Sequence, residues 1–253
     1  LILAVPSSFL NSSLKNITCD IKNKVVFSAI KGIVPEKNII VGDYIHNFLN
    51  IPYHNIGVIT GPCHAEEVAL ERLSYLTIAC SNLKNADFFS KKISSKYINT
   101  SISDDIYGTE YSSILKNIIA IAVGISRGLG YGDNFQSVLV SNAIQEISRF
   151  VNAVHPISRD INESAYLGDL MVTCYSQFSR NRVFGEMIGM GSDIKSAQVN
   201  LKMIAEGYHS VKCIHEVNQS LSVKMPIINA VYNILYQNAS PKNQIKILSN
   251  KIS

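Results

Sequence analysis

The hydrophobic and polar positions divide the chain into two stretches with different periods. Over residues 1–107, short apolar runs predict strands over 1–5, 24–30, 56–62, 75–80 and 96–103. Amphipathic segments alternate with these runs and predict helices over 12–23, 36–49, 64–73 and 86–94. Strands that alternate with helices indicate a doubly wound parallel sheet, the core of an α/β domain.

From residue 108 onward the period is that of long helices, and no strand pattern is evident. The predicted helices cover residues 110–127, 135–154, 162–176, 182–189, 194–205, 208–220 and 227–236. The sequence therefore predicts two domains, an α/β domain over residues 1–107 and an all-α domain over residues 108–253.

The apolar run of residues 1–5 meets Pro6 directly, which is typical of a central parallel strand at its carboxyl end. A central strand needs a neighbour on each side. We therefore expect the protein to have an N-terminal portion before this sequence.

Residues 118–125 contain no polar side chain, which predicts a helix that is buried on every face. Lys116 and Asn117 stand just before this run, so the lysine should be partly desolvated. Burial lowers the pKa of an ammonium towards the range that suits proton transfer. Lys116 is therefore a candidate general acid or base.

Composition narrows the class of partner. Of the 253 residues, 47% are hydrophobic and 17% are charged, which is enough apolar material for a packed core. The net charge of +4 suits an anionic small molecule but equally fits an ordinary lysine-rich surface. No dense block of Lys and Arg occurs, which argues against nucleic acid as a partner. The five cysteines show no C-x-x-C spacing, so the sequence predicts neither a disulfide framework nor a metal site. No apolar run has membrane-spanning length. From these two features we expect a cytoplasmic protein.

Three strand ends carry candidate binding residues, because ligands of doubly wound folds bind at the carboxyl ends of strands. Phe9 follows the first strand, where it is placed to lie against a flat ring, and Lys31 stands at the tip of the second. Gly61 turns the chain into a helix whose first N–H groups, near Cys63 and Ala65, attract anions and favour a cysteine thiolate. Each feature is weak alone, since a strand-end lysine is more often a surface residue.

The helical domain carries a second set of candidates. Asp169 and Thr173 are four residues apart and share a helix face. Ser179, Arg180 and Asn181 stand just before the next predicted helix, where an arginine and backbone donors suit a phosphate group. The alternatives are an exposed helix start for Asp169 and a surface arginine for Arg180.

A glycine-rich stretch contains Gly124, Gly128, Gly130 and Gly132. It does not follow a strand, so the dinucleotide-binding fingerprint fails. Close helix packing and a tight turn are the preferred interpretation.

Six strings together resemble the NAD(P)-dependent glycerol-3-phosphate dehydrogenases of the bacterial type. They are VPSSF, SAIKG, TGPCHAEEVA, LKNIIAIAVGISRGLGYGDN, GDLMVTCYSQFSRNRVFG and IAEGY, in the family's order across nearly the whole chain. The resemblance implies a partial Rossmann-like sheet followed by a helical substrate domain. It also implies hydride transfer between NAD or NADP and dihydroxyacetone phosphate or sn-glycerol 3-phosphate, which supplies glycerol 3-phosphate for phospholipid synthesis.

The resemblance assigns roles to individual residues. Lys116 matches the catalytic lysine, which gives a proton to the carbonyl oxygen of the substrate or removes it in the reverse direction. The implied substrate contacts are Lys31, Gly61, Cys63, Lys116, Asn117, Asp169, Thr173, Ser179, Arg180 and Asn181. The implied cofactor contacts are Phe9, Lys31, Ala65, Arg180 and Glu206.

The chain departs from the family pattern in two places. Cys63 stands where many relatives carry Ser or Thr and so lacks their hydroxyl group. The family's G-x-G-x-x-G turn has no counterpart in this sequence, so we expect this chain to hold only part of the dinucleotide site and to bind cofactor poorly.

Two alternatives to the dehydrogenase are kept. One is another two-domain reductase of a small hydroxy or keto acid, which the phosphate-binding run at Ser179 to Asn181 disfavours. The other is a truncated helical binding module without catalysis. The sequence decides neither NAD against NADP nor the oligomeric state, for which a homodimer is one option.

Overall fold

A computed structural model describes residues 1–35, 37–201 and 205–253. The chain divides into two compact units. The first, called the sheet unit, contains Leu1–Ser113 and Asn162–Asp169, and the second, called the helical unit, contains Ile114–Ile161 and Leu170–Ser253. The domain boundary near residue 107 stays a prediction.

The sheet unit is built on a five-stranded sheet in the order β1-β2-β5-β6-β7. The strands are β1 (Ile2–Leu3), β2 (Val26–Ser28), β5 (Ile56–Thr60), β6 (Ser74–Cys80) and β7 (Ile98–Ser103), and a separate hairpin joins β3 (Ile33–Val34) to β4 (Ile39–Ile40). The pairs β1 with β2, β2 with β5 and β6 with β7 are parallel. The predicted fold class, a mainly parallel sheet followed by helices, is therefore confirmed.

One pairing departs from the parallel prediction, because β5 and β6 are antiparallel. The connection between them, residues 61–73, contains only the five-residue helix α3 (Ala65–Ala69). Such a short helix cannot carry the chain back along the sheet, as a parallel crossover requires. Among the described residues β1 pairs with β2 alone, and the second neighbour that a central strand would need stays a prediction.

Helices cover both faces of the sheet. Neighbouring residues of a strand point to opposite faces, so two adjacent residues of β2 show what packs on each side. Val26 of β2 packs in one cluster with α1 (Leu10–Leu14) and α2 (Val41–Leu49). The next residue, Phe27, packs with α4 (Leu83–Ile93) in another cluster. This arrangement is the doubly wound layering expected from the alternating pattern.

Helix α1 is shorter than the helix predicted over residues 12–23, and that prediction was wrong in its extent. The helix ends at Leu14, and the polar stretch after it turns locally. The carboxylate of Asp20 accepts a hydrogen bond from the backbone N–H of Lys22 at 3.0 Å. Local bonds of this kind compete with helix formation.

The rest of the described chain is helical and contains no strand. The helices are α5 (Ile106–Gly128), which begins in the sheet unit, α6 (Asp133–Val154), α7 (Asp169–Tyr175) after a π turn at Ser164–Gly168, α8 (Arg180–Gly189), α9 (Ile194–Leu201), α10 (Glu206–Leu221), α11 (Pro226–Tyr236) and α12 (Pro241–Ser249). The predicted end of α9 lies partly outside the described residues. Helix α12 was missed, although Pro at its first position and the capping Ser240 mark its start. No helix within the described residues is both long and apolar enough to cross a membrane.

Helices α5 and α8 approach each other backbone to backbone in the helical unit. A Cβ on Gly124 of α5 would lie 2.0 Å from the carbonyl oxygen of Arg182, and a Cβ on Gly185 of α8 would lie 2.2 Å from that of Ile121. Neither contact is sterically allowed, so only glycine fits. Gly130 follows α5 with φ of +87°. The interpretation of the glycine-rich stretch as close packing and a tight turn is confirmed.

Candidate active site

The ends of three strands form one edge of the sheet unit. Strands β1, β2 and β5 are parallel neighbours, so their carboxyl ends lie on the same side. Phe9, Lys31 and Gly61 follow these three ends in turn. The Phe9 residue is 52% exposed at the end of a 3₁₀ turn, which leaves an aromatic face accessible at this edge.

Asp169 is the centre of a hydrogen-bonded cluster in the sheet unit. Its Oδ2 atom accepts hydrogen bonds from Lys31 Nζ at 3.5 Å, from Thr60 Oγ1 at 3.2 Å and from the Gly61 N–H at 3.4 Å. Lys31 Nζ also donates to the carbonyl oxygen of Gly61 at 3.2 Å. Asp169 is only 1% exposed, so its interpretation as an exposed helix start was wrong. Buried carboxylates require such donors, and the cluster supplies them.

The backbone of Gly61 explains why a glycine stands at the end of β5. Its φ is +110°, a conformation that L side chains rarely adopt. A Cβ there would lie 2.8 Å from the carbonyl oxygen of Tyr75 on β6. The turn that carries the Gly61 N–H towards Asp169 therefore depends on glycine.

Cys63 is half-buried, and burial raises the pKa of its thiol above the ordinary value. The positive charge of Lys31 and the hydroxyl of Ser74 oppose this rise without reversing it. Burial therefore opposes the thiolate that a helix start favours, and α3, which begins at Ala65, is only one turn long and offers little dipole. Cys63 is suited to packing or weak hydrogen bonding rather than to nucleophilic attack.

In the helical unit a chain of amide hydrogen bonds surrounds the start of the apolar run in α5. Lys116 and Asn117 are 5% and 6% exposed. Asn117 Oδ1 accepts from Asn181 Nδ2 at 3.0 Å, and Asn181 Oδ1 accepts from the Gly207 N–H at 3.0 Å. These bonds fix the orientation of both amides. Glu206, an implied cofactor contact, is the first residue of α10 and immediately precedes Gly207.

The run at residues 179–182 divides into capping, exposed and buried positions. Ser179 is the N-cap of α8, and its hydroxyl accepts from the N–H of Arg182 at 3.4 Å. Helix α8 therefore begins at Arg180, two residues earlier than predicted. Arg180 is exposed, whereas Arg182 is buried and donates to the carbonyl oxygen of Ser176 at 3.0 Å and to Glu186 at 3.1 Å. Arg182 was missed by the sequence reasoning, and its structural role leaves Arg180 as the arginine exposed to a ligand.

Thr173 and Cys174 lie in α7 and are both buried. Burial raises the pKa of the Cys174 thiol to about 12, although the positive charges of Lys116 and Arg182 oppose the rise. The positive charges of Lys116 and Arg182 therefore lie near α7 within the helical unit. Within the described residues, no group of three or more His, Cys, Asp or Glu side chains is placed to hold a metal ion.

A doubly wound sheet with exposed and charged residues at its carboxyl edge is typical of the dinucleotide-binding class of proteins, and here helices with a buried lysine follow it. Two family models match the chain. The NAD-dependent glycerol-3-phosphate dehydrogenase N-terminus matches residues 1–86, and the C-terminus of the same family matches residues 105–246.

Curated relatives and solved structures agree with this match. The glycerol-3-phosphate dehydrogenase (NAD(P)+) of Exiguobacterium sp. is 35% identical over 251 residues, covering 98% of this chain and 74% of that protein. The Oceanobacillus iheyensis enzyme of the same name is 36% identical over 226 residues, covering 89% of this chain and 66% of that protein. The crystal structure of glycerol-3-phosphate dehydrogenase from Coxiella burnetii has a TM-score of 0.91 at 28% identity, covering 98% of this chain and 75% of that chain. The chain belongs to the NAD-dependent glycerol-3-phosphate dehydrogenase family.

Proposed function

We propose that the protein interconverts dihydroxyacetone phosphate and sn-glycerol 3-phosphate with NAD(P)H as the redox partner. The observation that carries the proposal is the buried Lys116, held in α5 beside the amide chain of Asn117 and Asn181. Relatives that are named for this activity match nearly the whole chain. A buried lysine without a chemical role is costly, which supports a functional one.

Lys116 acts in this proposal as the general acid and base. In the reducing direction its ammonium gives a proton to the oxygen of the substrate carbonyl, and in the oxidising direction its amine takes that proton back. Asn117, Asp169 and Thr173 bind the hydroxyl groups of the substrate. Each of the three is buried within its own unit, and a hydrogen bond to a buried polar group is strengthened by the low local dielectric.

The phosphate group is bound by Ser179, Arg180 and Asn181, at and within the first turn of α8. The exposed guanidinium of Arg180 provides a charge-assisted, bidentate contact, and the first turn of the helix adds backbone donors. Gly61 and Cys63 contribute contacts from the turn after β5.

The dinucleotide is bound in part by Phe9, Lys31, Ala65, Arg180 and Glu206. These residues fit such a group, because the Phe9 ring is accessible to a flat ring and Lys31 lies at the carboxyl edge of parallel strands. When bound, the nicotinamide supplies or accepts the hydride. The homodimer and the cytoplasmic location stay proposals from the sequence, which does not decide between NAD and NADP.

The test is the oxidation of NADH and NADPH, followed by absorbance, with dihydroxyacetone phosphate and the full-length protein. We expect turnover that is lost when unphosphorylated dihydroxyacetone replaces the substrate. The comparison of the two cofactors decides their preference. Turnover with an unphosphorylated hydroxy or keto acid instead would favour the alternative reductase, and a folded protein without any turnover would favour the binding module.

A further inference from the structure

Three donors bond one oxygen atom, Oδ2 of Asp169, and one of them is not among the implied ligand contacts. Lys31 and Gly61 are implied ligand contacts, but Thr60 is the last residue of β5 and is fully buried. Its hydroxyl donates to Asp169 Oδ2 at 3.2 Å. The hydroxyl of Thr60 is therefore directed at the carboxylate of Asp169.

We infer that Thr60 is a positioning residue, which holds the carboxylate of Asp169 in the orientation that receives a substrate hydroxyl. The inference rests on the substrate-binding role proposed for Asp169. A carboxylate rotates easily about its last side-chain bond, so its direction has to be set by its donors. The Thr60 hydroxyl and the Gly61 N–H are adjacent on the chain and both bond the same oxygen.

The Thr60 hydroxyl and the Gly61 N–H can orient the carboxylate of Asp169 because both are held rigidly. Strand β5 is paired with β2 over residues 56–58 and with β6 as far as Thr60, so the sheet restrains the end that carries the Thr60 hydroxyl. Threonine is stiff about χ1, and a donor with few accessible rotamers orients its acceptor well. Lys31, by contrast, reaches Asp169 through a long and partly exposed side chain at 3.5 Å. The bond from the Gly61 N–H is longer, at 3.4 Å, so of these three donors Thr60 makes the shortest bond and is also conformationally restricted.

The sheet offers a matched control for this residue. Thr77 of β6 lies directly opposite Thr60 in the antiparallel register. Thr77 is also buried, and its hydroxyl is 3.0 Å from the hydroxyl of Ser101 on β7. Thr60→Val and Thr77→Val therefore remove comparable buried hydroxyl groups from neighbouring strands, and only the first of these groups bonds Asp169.

The kinetic experiment compares Thr60→Val, Thr60→Ser and Thr77→Val in the full-length protein. We expect Thr60→Val to lower kcat/KM for dihydroxyacetone phosphate by about tenfold, because a hydrogen bond to a charged group is lost. Thr60→Ser keeps the hydroxyl and should stay within about threefold of the wild type. Thr77→Val should leave kcat/KM unchanged while lowering the melting temperature about as much as Thr60→Val does.

Calorimetric binding separates positioning from a general structural loss. In Thr60→Val the affinity for sn-glycerol 3-phosphate should fall, whereas that for inorganic phosphate, which has no carbon-borne hydroxyl, should match the wild type. Equal weakening of both ligands, or a Thr60→Val variant indistinguishable from Thr77→Val, would overturn the inference. A wild type that binds sn-glycerol 3-phosphate but shows no turnover sinks the proposed activity alone, because the binding comparison still decides the role of Thr60. A wild type that does not bind it overturns both.

Discussion

The two units hold their candidate residues by different means. In the sheet unit, the residues stand on loops at strand ends and are joined by side-chain hydrogen bonds around Asp169. In the helical unit, Lys116 and Asn181 stand on helices whose separation is set by glycines in contact with backbone. The turn after β5 should therefore tolerate a changed side chain at Cys63, while the crossing of α5 and α8 should not tolerate an added methyl group.

Each unit also contains a buried carboxylate that caps a helix of its own unit. Glu110 accepts hydrogen bonds from the N–H of Gly42, at the start of α2. Glu146 accepts from the N–H groups of Ile227 and Ile228, at the start of α11. In both caps a buried carboxylate, rather than water, accepts hydrogen bonds from the N–H groups at a helix start. The two units therefore differ in their candidate sites but share this kind of helix cap.

The largest effect is expected at the lysine of the helical unit. Lys116→Ala should lower kcat by about a hundredfold to ten-thousandfold, because the proton donor is lost, with a modest change in substrate affinity. Steady-state kinetics with dihydroxyacetone phosphate measures this. Lys212→Ala, which changes an exposed lysine of the same unit, serves as the control and should behave as the wild type. Near-normal turnover of Lys116→Ala would refute the assigned role.

The packing of the helical unit is tested by a single methyl group. Gly124→Ala places a Cβ 2.0 Å from a backbone oxygen of α8, so the helices must separate and the protein should lose about 1–3 kcal/mol of stability. The matched control is Gly132→Ala, since no atom lies within 4 Å of the Cβ that it adds. Chemical denaturation measures both variants. Equal stability of the two would contradict the close crossing of α5 and α8.

The exposed arginine at the start of α8 should act on binding more than on chemistry. Arg180→Ala should raise KM for dihydroxyacetone phosphate about ten- to hundredfold, because a charge-assisted contact with the phosphate group is removed. Arg180→Lys keeps the charge but loses the planar fork, so its KM should lie between the two. An unchanged KM in Arg180→Ala would mean that the phosphate group binds elsewhere.

Periodicity was sufficient for the fold class, because strands and helices bury their apolar residues at different spacings. It could not predict the antiparallel β5–β6 pair, which depends on how far a one-turn helix can carry the chain. The cluster around Asp169 was equally hidden. The chemistry of Lys31 and Asp169 was visible in the sequence, but their ion pair joins residues 138 positions apart. Thr60 has no sequence signal at all, since a threonine at the end of a strand is ordinary.

The pH dependence of stability separates the two carboxylate caps. Burial raises the pKa of Glu110 to about 8 and that of Glu146 to about 7, and the N–H groups they bind only partly oppose this.

In the unfolded chain these groups titrate near their ordinary value of 4.5, so between 4.5 and the folded pKa the folded protein binds more protons. Stability from the protonated form is therefore fully present below pH 4.5 and is lost as pH rises to about 7 for Glu146 and about 8 for Glu110.

The slope of the unfolding free energy should reach at most about 1.4 kcal/mol per pH unit for each group. Glu146→Gln should remove its share of the slope between about pH 4.5 and 7. Glu110→Gln should remove its share between about pH 4.5 and 8, so only this variant flattens the dependence of the unfolding free energy on pH between about pH 7 and 8. Denaturant unfolding across this range measures the difference, with the exposed Glu71→Gln as a control. If both variants keep the slope of the wild type, the two glutamates are not protonated while buried in the folded protein. The two units would then share carboxylate caps of the same geometry, but these caps would not make stability depend on pH.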